Sequence, residues 1–277
     1  MTVTELETAD FDYIRHLVRQ RSAIVLEPGK EYLVQSRLLP LARKQGLADI
    51  GALVDRLKRG DAAVTADVVE AMTTNETSFF RDKNPFDALR DDVIPDLLQR
   101  RKSKRTLRIW SAAASTGQEA YTIAMTLREH FPELGSWTVS ILGTDLSQEV
   151  VEKAKEGRYA QLEVNRGLPA PLLMKYFERA GAAWKVKQTL RGAVEFRQMN
   201  LIAPWPALAS MDIVFLRNVL IYFDATTKRD LLGRVRKVMA PDGCLFLGAG
   251  ESTLQYDGTF KQVTGSRANC YRVPVAA

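Results

Sequence analysis

Residues 106–125, TLRIWSAAASTGQEAYTIAM, decide the fold class of this chain. A short apolar strand candidate, TLRIW, leads into the small-residue loop SAAASTG and then into an amphipathic helix, QEAYTIAMTLREHF. The alternation continues with WTVSILGTD, MDIVFLRN, the helix TKRDLLGRVRKVM and a further strand, CLFLGAG. Short apolar runs that alternate with longer amphipathic segments are typical of βαβ units. The second half of the chain therefore predicts an α/β domain built on a parallel sheet.

The first 80 residues follow a different pattern, one of helical periodicity. Apolar residues recur at helical spacing in three segments, namely Phe11, Ile14, Leu17 and Val18, then Ile50, Leu53, Val54 and Leu57, then Val64, Val68 and Met72. Pro40 is expected to kink or end the helix that runs through EYLVQSRLL. We therefore expect an all-α N-terminal domain over residues 1–80 and the α/β domain over residues 81–277.

Between residues 158 and 198 the alternation of the α/β domain is interrupted. The segment PAPLLMKYFERAG indicates a helix, and WKVKQTLRGAVEFRQMN contains alternating, β-branched stretches on either side of Arg191-Gly192. This pattern predicts a small antiparallel β insertion at about residues 158–198. Insertions of this kind often carry recognition.

The composition narrows the compartment and the chemistry. No apolar run approaches the ~20 residues that span a bilayer, and the start, MTVTELETADFDYIRH, lacks the apolar core of a signal peptide. We therefore expect a cytoplasmic protein without direct membrane insertion, in which the acceptor pattern Asn75-Glu76-Thr77 is not glycosylated. Cys244 and Cys270 are expected to be core thiols. With two histidines in the chain, a metal site is not expected.

Basic residues are concentrated in one part of the chain. The net charge is +6, and residues 15–59 alone carry ten Lys or Arg against four Asp or Glu. Such a surface can steer an acidic protein, a nucleic acid or an anionic membrane towards the chain. The alternative is a solvated helix face, and the charge pattern leaves both interpretations open.

The order of strand, small-residue loop, helix, strand and acid is that of a nucleotide-type pocket. The loop SAAASTG has one glycine, and the chain has neither a G-x-G-x-x-G nor a phosphate-binding G-x-x-x-x-G-K-[ST] motif. A ligand with a ribose but no phosphate, such as S-adenosylmethionine, suits these residues better than a dinucleotide. The alternative is that Glu119 and Asp145 are only a helix-start acid and a strand-end cap.

Six segments follow one another along the chain: TTNETSFFR, WSAAASTGQEAYTIAM, ILGTDLS, VEFRQMNL, IVFLRNVLIYFD and PDGCLFLGAGES. In this order and spacing they resemble the CheR family of chemotaxis-receptor glutamate methyltransferases. The resemblance covers nearly the whole chain. It implies a Rossmann-like S-adenosylmethionine-dependent methyltransferase domain with a small antiparallel β insertion, preceded by an all-α domain. One departure is TGQEAY, where TGEEPY is expected.

The resemblance also implies roles for individual residues. The cofactor-binding residues would be Asn75, Thr77, Arg81, Glu119, Asp145, Asn200, Leu201, Asn218 and Val219. Of these, Glu119 would lie near the amino-acid end of the cofactor, Asp145 would hold the ribose hydroxyls, and Asn200 and Leu201 would flank the adenine. Arg81 and Tyr222 would be catalytic. The structural alternative is that Arg81 ties the helical domain to the sheet and Tyr222 is a packed aromatic.

The implied reaction turns a glutamate carboxylate of a methyl-accepting chemoreceptor into a methyl ester and leaves S-adenosylhomocysteine. The basic segment would dock on the acidic receptor helices, with Arg37, Arg43 and Lys44 as the best candidates. The protein would then be recruited to membrane-bound receptor arrays. Family members that grip a C-terminal receptor pentapeptide carry a longer, glycine-containing loop than ERAGAAWKVKQ, so we expect recognition without that peptide.

Two rival functions follow from the same residues. A nucleic-acid methyltransferase would use the basic N-terminal segment to bind phosphates. The strand-end segment RNVLIYF, however, is not the N/D-P-P-Y/F type used on exocyclic amines, and we expect no nucleic-acid partner. The other rival is a non-catalytic sensor or scaffold that binds S-adenosylmethionine, which the presence of both Arg81 and Tyr222 disfavours.

Overall fold

The chain separates into a helical unit and an α/β unit in the computed structural model, which describes residues 6–273. The helical unit comprises residues up to 74 together with 222–227, and the α/β unit comprises residues 75–221 and those from 228 onward. The outermost residues of the two predicted domains, 1–5 and 274–277, lie outside the described residues. The domain boundary at residue 80 stays a prediction.

The helical unit contains the four helices α1 (Thr8–Ser22), α2 (Glu31–Lys44), α3 (Ile50–Lys58) and α4 (Ala62–Met72). The predicted apolar stripes supply its core, in which Ile14, Val18 and Leu53 are fully buried. Asp49 caps α3, since its carboxylate accepts a 2.8 Å hydrogen bond from the Ala52 N–H.

Helix α2 does not end at Pro40 but continues to Lys44. Proline removes the bond from its own nitrogen to the carbonyl four residues earlier, here that of Ser36. Both Pro40 and Ser36 lie on the exposed side of the helix, where water can satisfy that carbonyl.

The α/β unit is built on a seven-stranded sheet whose strand order is β6-β2-β1-β7-β8-β10-β9. These strands are β1 (Thr106–Ala112), β2 (Thr138–Asp145), β6 (Val194–Gln198), β7 (Met211–Leu216), β8 (Met239–Leu247), β9 (Lys261–Gln262) and β10 (Cys270–Arg272). The strands from β6 to β8 run parallel, and β10 and β9 complete the sheet in antiparallel fashion. This confirms the Rossmann-like α/β class.

The helices of the α/β unit are α5 (Asn84–Ala88), α6 (Ile94–Arg100), α7 (Gln118–His130), α8 (Gln148–Glu156), α9 (Gln161–Asn165), α10 (Ala170–Tyr176), α11 (Gln188–Arg191) and α12 (Ala225–Val238), of which α12 begins in the helical unit. A π-helical turn (Leu89–Val93) joins α5 to α6, and 3-10 turns lie at Pro132–Ser136 and Leu220–Tyr222. The core between helices and sheet includes Trp110, Tyr121, Phe215 and Phe246. Cys244 and Cys270 are buried free thiols, as predicted.

The predicted small antiparallel sheet is present as β3 (Arg158–Ala160), β4 (Phe177–Ala180) and β5 (Ala183–Val186), with β5 in the middle. The expectation for the stretch beyond Arg191-Gly192 was wrong, because Val194–Gln198 pairs in parallel with β2 in the main sheet. Phe196 on this strand packs so closely on Gly143 that a Cβ there would lie 2.5 Å from its ring. Only glycine at position 143 accommodates this packing.

The basic run RRKSKR at 100–105 includes one arginine that is mostly buried. Arg101 is mostly buried and forms ion pairs with Asp212, at the amino-terminal end of β7, and with Asp242. Burial raises the pKa of the Asp212 carboxyl despite its hydrogen bond from the Arg108 N–H. Arg101 therefore ties α6 to the amino-terminal edge of the main sheet.

Candidate active site at the carboxyl edge of the sheet

The carboxyl ends of β1, β2 and β7 meet at one edge of the main sheet. Strand β1 lies between β2 and β7, because the chain passes from β1 to its neighbour β2 and later returns, after β6, to β7 on the other side of β1. In open α/β sheets this switch in strand order opens a crevice in which ligands bind. The crevice is bordered by residues 113–117, Asp145 and Asn218.

The loop SAAASTG is held to the end of β2 by Asp145. This mostly buried carboxylate accepts hydrogen bonds from the backbone N–H of Ser115, at 2.8 Å, and of Ser147, at 3.1 Å. The Ser115 hydroxyl in turn donates to the Asn75 carbonyl, at 2.7 Å. Asp145 and Asn75, both predicted to bind the cofactor, are therefore brought to the same loop.

Glu119 lies in the first turn of α7, directly after this loop, and its side chain is mostly buried. Its Oε1 accepts from the Ser111 hydroxyl at 2.8 Å, and its Oε2 accepts from Nη1 of Arg217 at 2.7 Å. Glu119 is therefore not a free helix-start acid, because its carboxylate joins the end of β1 to the residue after β7.

Arg217 is a site residue that the sequence reasoning missed. Its side chain is 1% exposed, and besides Glu119 it binds the Arg81 carbonyl at 2.9 Å and the Asp82 carboxylate at 2.8 Å through Nη2. The guanidinium also lies over the ring of Phe86, 5.6 Å from its centroid. In the sequence, Arg217 stands out only by its place in IVFLRNVLIYFD, one of the six segments that carry the resemblance.

The segment TTNETSFFR ends in a turn that presents Arg81. Phe79 is fully buried and makes edge-on contacts with the rings of Tyr159 and Phe177, at centroid distances of 5.1 and 5.5 Å. Gly167 permits this packing, since a Cβ there would lie 2.1 Å from the Phe79 carbonyl oxygen. The first phenylalanine of the pair therefore anchors the segment in the core of the α/β unit.

The turn beyond Phe79 has a strained backbone. Phe80, Asp82 and Lys83 have φ angles of +51°, +64° and +45°. Left-handed backbone at residues other than glycine costs on the order of 1–3 kcal/mol each and is found mainly at functional sites. Between them, Arg81 uses Nη1 to donate to the Glu76 carbonyl at 2.7 Å, which engages part of its fork of donors.

Asn218 follows Arg217 and also has left-handed backbone, with φ +58°. Glu251 holds it there, because one carboxylate oxygen accepts from the N–H groups of both Asn218, at 2.8 Å, and Gly248, at 2.7 Å. Asn269 fixes the far side of this loop through three backbone carbonyls. Glu251 lies in the quoted segment PDGCLFLGAGES, but sequence reasoning gave it no role.

Asn200 and Leu201 follow β6, and the backbone ties this stretch to the same edge. The Met199 N–H donates to the Asp145 carbonyl at 2.7 Å. Asn200 accepts from the Ile202 N–H at 3.1 Å, while the Leu201 carbonyl accepts from Arg234 at 2.8 Å. These bonds fix the strand end that the resemblance assigns to the adenine.

Three other predicted site residues are placed by neighbours in the chain. Thr77 lies between Asn75 and Arg81, and Val219 follows Asn218. Tyr222 belongs to the helical unit, where its carbonyl accepts from the Val25 N–H at 2.9 Å. Its distance from Arg81 therefore stays a prediction.

The predicted docking residues on α2 differ in their surroundings. Arg43 and Lys44 are exposed. Arg37 is partly buried and donates to the carbonyls of Met72, at 2.7 Å, and Thr73, at 2.9 Å, and burial lowers its pKa. Arg37 thus holds the end of α4 and the residue after it.

The chemistry of this edge fits S-adenosylmethionine. The two acids, Asp145 and Glu119, can accept from ribose hydroxyls and from an ammonium group, and the amides of Asn75 and Asn218 add uncharged partners. A ligand that carries positive charge and no phosphate suits acids in these positions. Within residues 6–273 there is no cluster of three or more His, Cys, Asp or Glu that could hold a metal, and no helix long and apolar enough to cross a bilayer.

Comparisons with known proteins agree with this chemistry. A family model described as CheR methyltransferase, SAM binding domain, matches residues 75–269, and one described as CheR methyltransferase, all-alpha domain, matches residues 9–73. Chemotaxis protein methyltransferase 1 of Pseudomonas aeruginosa is 42% identical over 268 residues, which cover 95% of this chain and 97% of the relative. Chemotaxis protein methyltransferase Cher2 of Pseudomonas putida is 42% identical over 88% of this chain and 90% of its own, and the chemotaxis protein methyltransferase of Escherichia coli is 37% identical over 89% and 85%. The chain belongs to the CheR methyltransferase family and uses S-adenosylmethionine as its methyl donor.

Proposed function

We propose that this protein methylates glutamate side chains of chemoreceptors and forms methyl esters in chemotaxis adaptation. The family and the relatives named as chemotaxis protein methyltransferases support the receptor as substrate class. The choice of a carboxylate acceptor is supported by the chemistry of the site itself.

The observation that carries the proposal is the position of the turn at residues 80–83, which presents Arg81 at the carboxyl edge of the main sheet. The backbone of Arg81 and the cofactor acid Glu119 are bound to the same guanidinium, that of Arg217. An arginine fixed at this edge can orient a carboxylate through its planar fork, whereas an exocyclic amine offers that fork no acceptor. Partial engagement suits the reaction, because a fully gripped carboxylate would be a weaker nucleophile.

The acceptor needs no general base. Glutamate, with a pKa of about 4.3, is already ionised at neutral pH. Methyl transfer then forms a bond from the carboxylate oxygen to the methyl carbon and breaks the carbon–sulfur bond, whose electron pair stays on sulfur. His130, a side-chain type often used as a general base, is at the opposite end of α7 from Glu119, about 16 Å away at 1.5 Å per residue, and has no role in this step. The remaining tasks are to align the reactants and to exclude water.

Arg81 and Tyr222 are the proposed catalytic residues. Arg81 would orient the substrate carboxylate or the cofactor through the part of its fork that does not bind the Glu76 carbonyl. Tyr222 would contact the reacting groups.

The exposed basic residues of α2 are the proposed docking surface. Arg43 and Lys44 would face the acidic helices of the receptor and bring the protein to the membrane-bound arrays. Charges at the rim of an interface act mainly on the association rate and on its salt dependence. Arg37 would contribute less, because its guanidinium already binds the end of α4 and the residue after it.

Receptor recognition is proposed to be independent of a C-terminal pentapeptide. Strands β4 and β5 are joined through Gly181 and Ala182 alone, since Ala180 pairs directly with Ala183. Gly181 has φ +64°, as a tight turn requires. This compact hairpin lacks the longer loop expected of pentapeptide-binding relatives.

The proposal is tested with methyl-labelled S-adenosylmethionine and membranes that contain candidate chemoreceptors. We expect label on the receptor band that mild alkali releases as methanol, which identifies a carboxyl methyl ester. Membranes without the receptors serve as the control. Alkali-stable label, or label on RNA or DNA, would contradict glutamate methylation.

A further inference from the structure

We propose that Arg217 is a positioning residue that holds the cofactor acid Glu119 and the Arg81 turn in one geometry. This inference rests on the proposed function, in which Glu119 contacts the cofactor and Arg81 the reacting groups. It assigns to one buried guanidinium the alignment of two parts of the site that lie far apart in the chain.

The contacts of Arg217 reach two separate segments. Nη1 binds the Glu119 carboxylate at 2.7 Å, and Nη2 binds the Arg81 carbonyl at 2.9 Å and the Asp82 carboxylate at 2.8 Å. Its partners Glu119 and Asp82 lie 98 and 135 residues away in sequence. The planar guanidinium fixes the directions of these bonds relative to one another, which a flexible ammonium group does not.

The Arg81 turn needs such support. Phe80, Asp82 and Lys83 all have left-handed backbone, a conformation that persists only where surrounding contacts impose it. The bonds from Arg217 to the Arg81 carbonyl and the Asp82 carboxylate act on this turn directly. The Phe80 N–H also donates to the Thr122 hydroxyl, at 3.2 Å, which secures the other side of the turn.

The burial and the ion pairs of Arg217 also fit a positioning role. Its side chain is 1% exposed, while the Asp82 side chain is 39% exposed and that of Glu119 is 12% exposed. A buried charge is tolerated when it is paired, and here two carboxylates share one guanidinium. Its Nε has no hydrogen-bond partner among the described residues, so the alignment depends on the bonds from Nη1 and Nη2.

Two variants test the contacts of Arg217 separately: Arg217→Lys changes its bonds to both Glu119 and the Arg81 turn, and Asp82→Asn changes only a bond at the turn. Lysine keeps the charge but cannot span the three acceptors, so we expect cofactor binding to weaken about 10-fold and kcat to fall about 100-fold. Asp82→Asn removes only the carboxylate partner at the turn. It should lower kcat about 10-fold and leave the dissociation constant for S-adenosylhomocysteine within about twofold, because Glu119 keeps its pair.

Arg101→Lys is the matched control. Arg101 is also a mostly buried arginine that binds two carboxylates, but its partner Asp212 is the second residue of β7 whereas Arg217 follows the last residue of that strand. The two ends lie about 17 Å apart at 3.3 Å per residue. Arg101→Lys should lower the thermal midpoint of unfolding and leave both cofactor affinity and kcat unchanged.

The measurements are titration calorimetry with S-adenosylhomocysteine and receptor methylation kinetics, with circular dichroism to check folding. The inference is overturned if Arg217→Lys keeps both constants within twofold of the wild type. It is equally overturned if Asp82→Asn weakens cofactor binding as much as it lowers kcat.

If Arg217→Lys does not fold, the comparison of Asp82→Asn with the wild type decides whether the contacts of Arg217 position the turn. If the wild-type protein methylates no receptor, the proposed function fails. The dissociation constant for S-adenosylhomocysteine still tests the role of Arg217 in that case, because it should rise in Arg217→Lys and not in Arg101→Lys if Arg217 positions Glu119.

Discussion

Glu251, a buried acid on the loop after β8, accepts a 2.8 Å hydrogen bond from the backbone N–H of Asn218. This bond fixes the left-handed backbone of Asn218, a residue predicted to bind the cofactor. The same oxygen accepts from Gly248, at 2.7 Å. One carboxylate thus holds the residues that follow β7 and β8 at the carboxyl edge of the sheet, although none of the residues predicted to touch the cofactor lies in its segment.

Glu251→Ala should therefore reduce both stability and cofactor affinity. Each of the two N–H groups left without an acceptor costs about 1–3 kcal/mol, so we expect the free energy of unfolding to fall by about 2–6 kcal/mol in urea titrations. Cofactor affinity should fall as well, because Asn218 loses the contact that sets its backbone.

The control for this prediction is Glu195→Ala. Glu195 pairs with Arg197 on the surface, and both side chains are at least half exposed. Pairs of this kind contribute about 0–1 kcal/mol. Equal losses of stability in the two variants would show that the bonds of Glu251 to Asn218 and Gly248 do not contribute as described.

Arg81→Lys tests whether the arginine fork is required. Lysine retains the positive charge but cannot orient a carboxylate in two directions, so we expect kcat to fall about 100-fold with a smaller effect on cofactor affinity. Arg166→Lys is the control in the same neighbourhood, since Arg166 pairs with Glu76 at the surface. Normal turnover of Arg81→Lys would mean that Arg81 has no geometric role.

Reversal of the exposed charges on α2 should weaken receptor docking. For the double variant Arg43→Glu, Lys44→Glu, we expect an increased KM for receptor membranes, by about tenfold at low salt, with kcat unchanged. The difference should shrink as salt rises, because the Debye length falls from about 10 Å at 0.1 M to about 3 Å at 1 M. Receptor methylation at several salt concentrations measures this.

The double variant Lys102→Glu, Lys104→Glu makes the same charge change on exposed residues of the run after α6. It should leave the KM for receptors nearly unchanged. If both double variants raise KM equally, net charge rather than a docking surface on α2 explains the effect. Arg37 is left intact in this test, because its reversal would break bonds to Met72 and Thr73.

The sequence predicted the parts of the fold that depend on local pattern. Strands β1, β2, β7 and β8 follow from short apolar runs, and the acid at the end of β2 follows from its position. Strand β6 was misassigned because alternation of side chains does not tell which edge a strand will join. Its place depends on packing between Phe196 and Gly143, 53 positions apart, which pattern cannot reveal.

The missed site residues have a similar cause. Arg217 and Glu251 act through partners far away in sequence, and their identities alone suggest surface charges. Only the folded chain shows that each is buried against backbone groups and acids of the same edge. The resemblance supplied the residues thought to touch the cofactor, but the residues that hold them in place required coordinates.

Asp224 makes the stability of the chain depend on pH in the acid range. The pKa of its carboxyl is lowered to about 2, first by the hydrogen bond from the Thr227 N–H, at 2.8 Å, and then by the Arg19 side chain. A carboxyl whose pKa is lower in the folded than in the unfolded chain stabilises the fold above its unfolded pKa, near 3.9, and this stabilisation is lost as pH falls through the folded value.

Asp224→Asn should therefore lower the free energy of unfolding by about 1 kcal/mol at pH 7, because it removes the negative charge at the start of α12 and the ion pair with Arg19. The difference from the wild type should persist down to about pH 4 and shrink towards pH 2, where about half of the wild-type carboxyl groups are protonated. Urea titrations at pH 7, 4 and 2 measure it. Arg19→Met removes the second partner and should reduce the same difference, since Arg19 and Asp224 form a 2.7 Å ion pair. A stability difference that is the same at all three pH values would show that the ionised form of Asp224 is not what stabilises the start of α12.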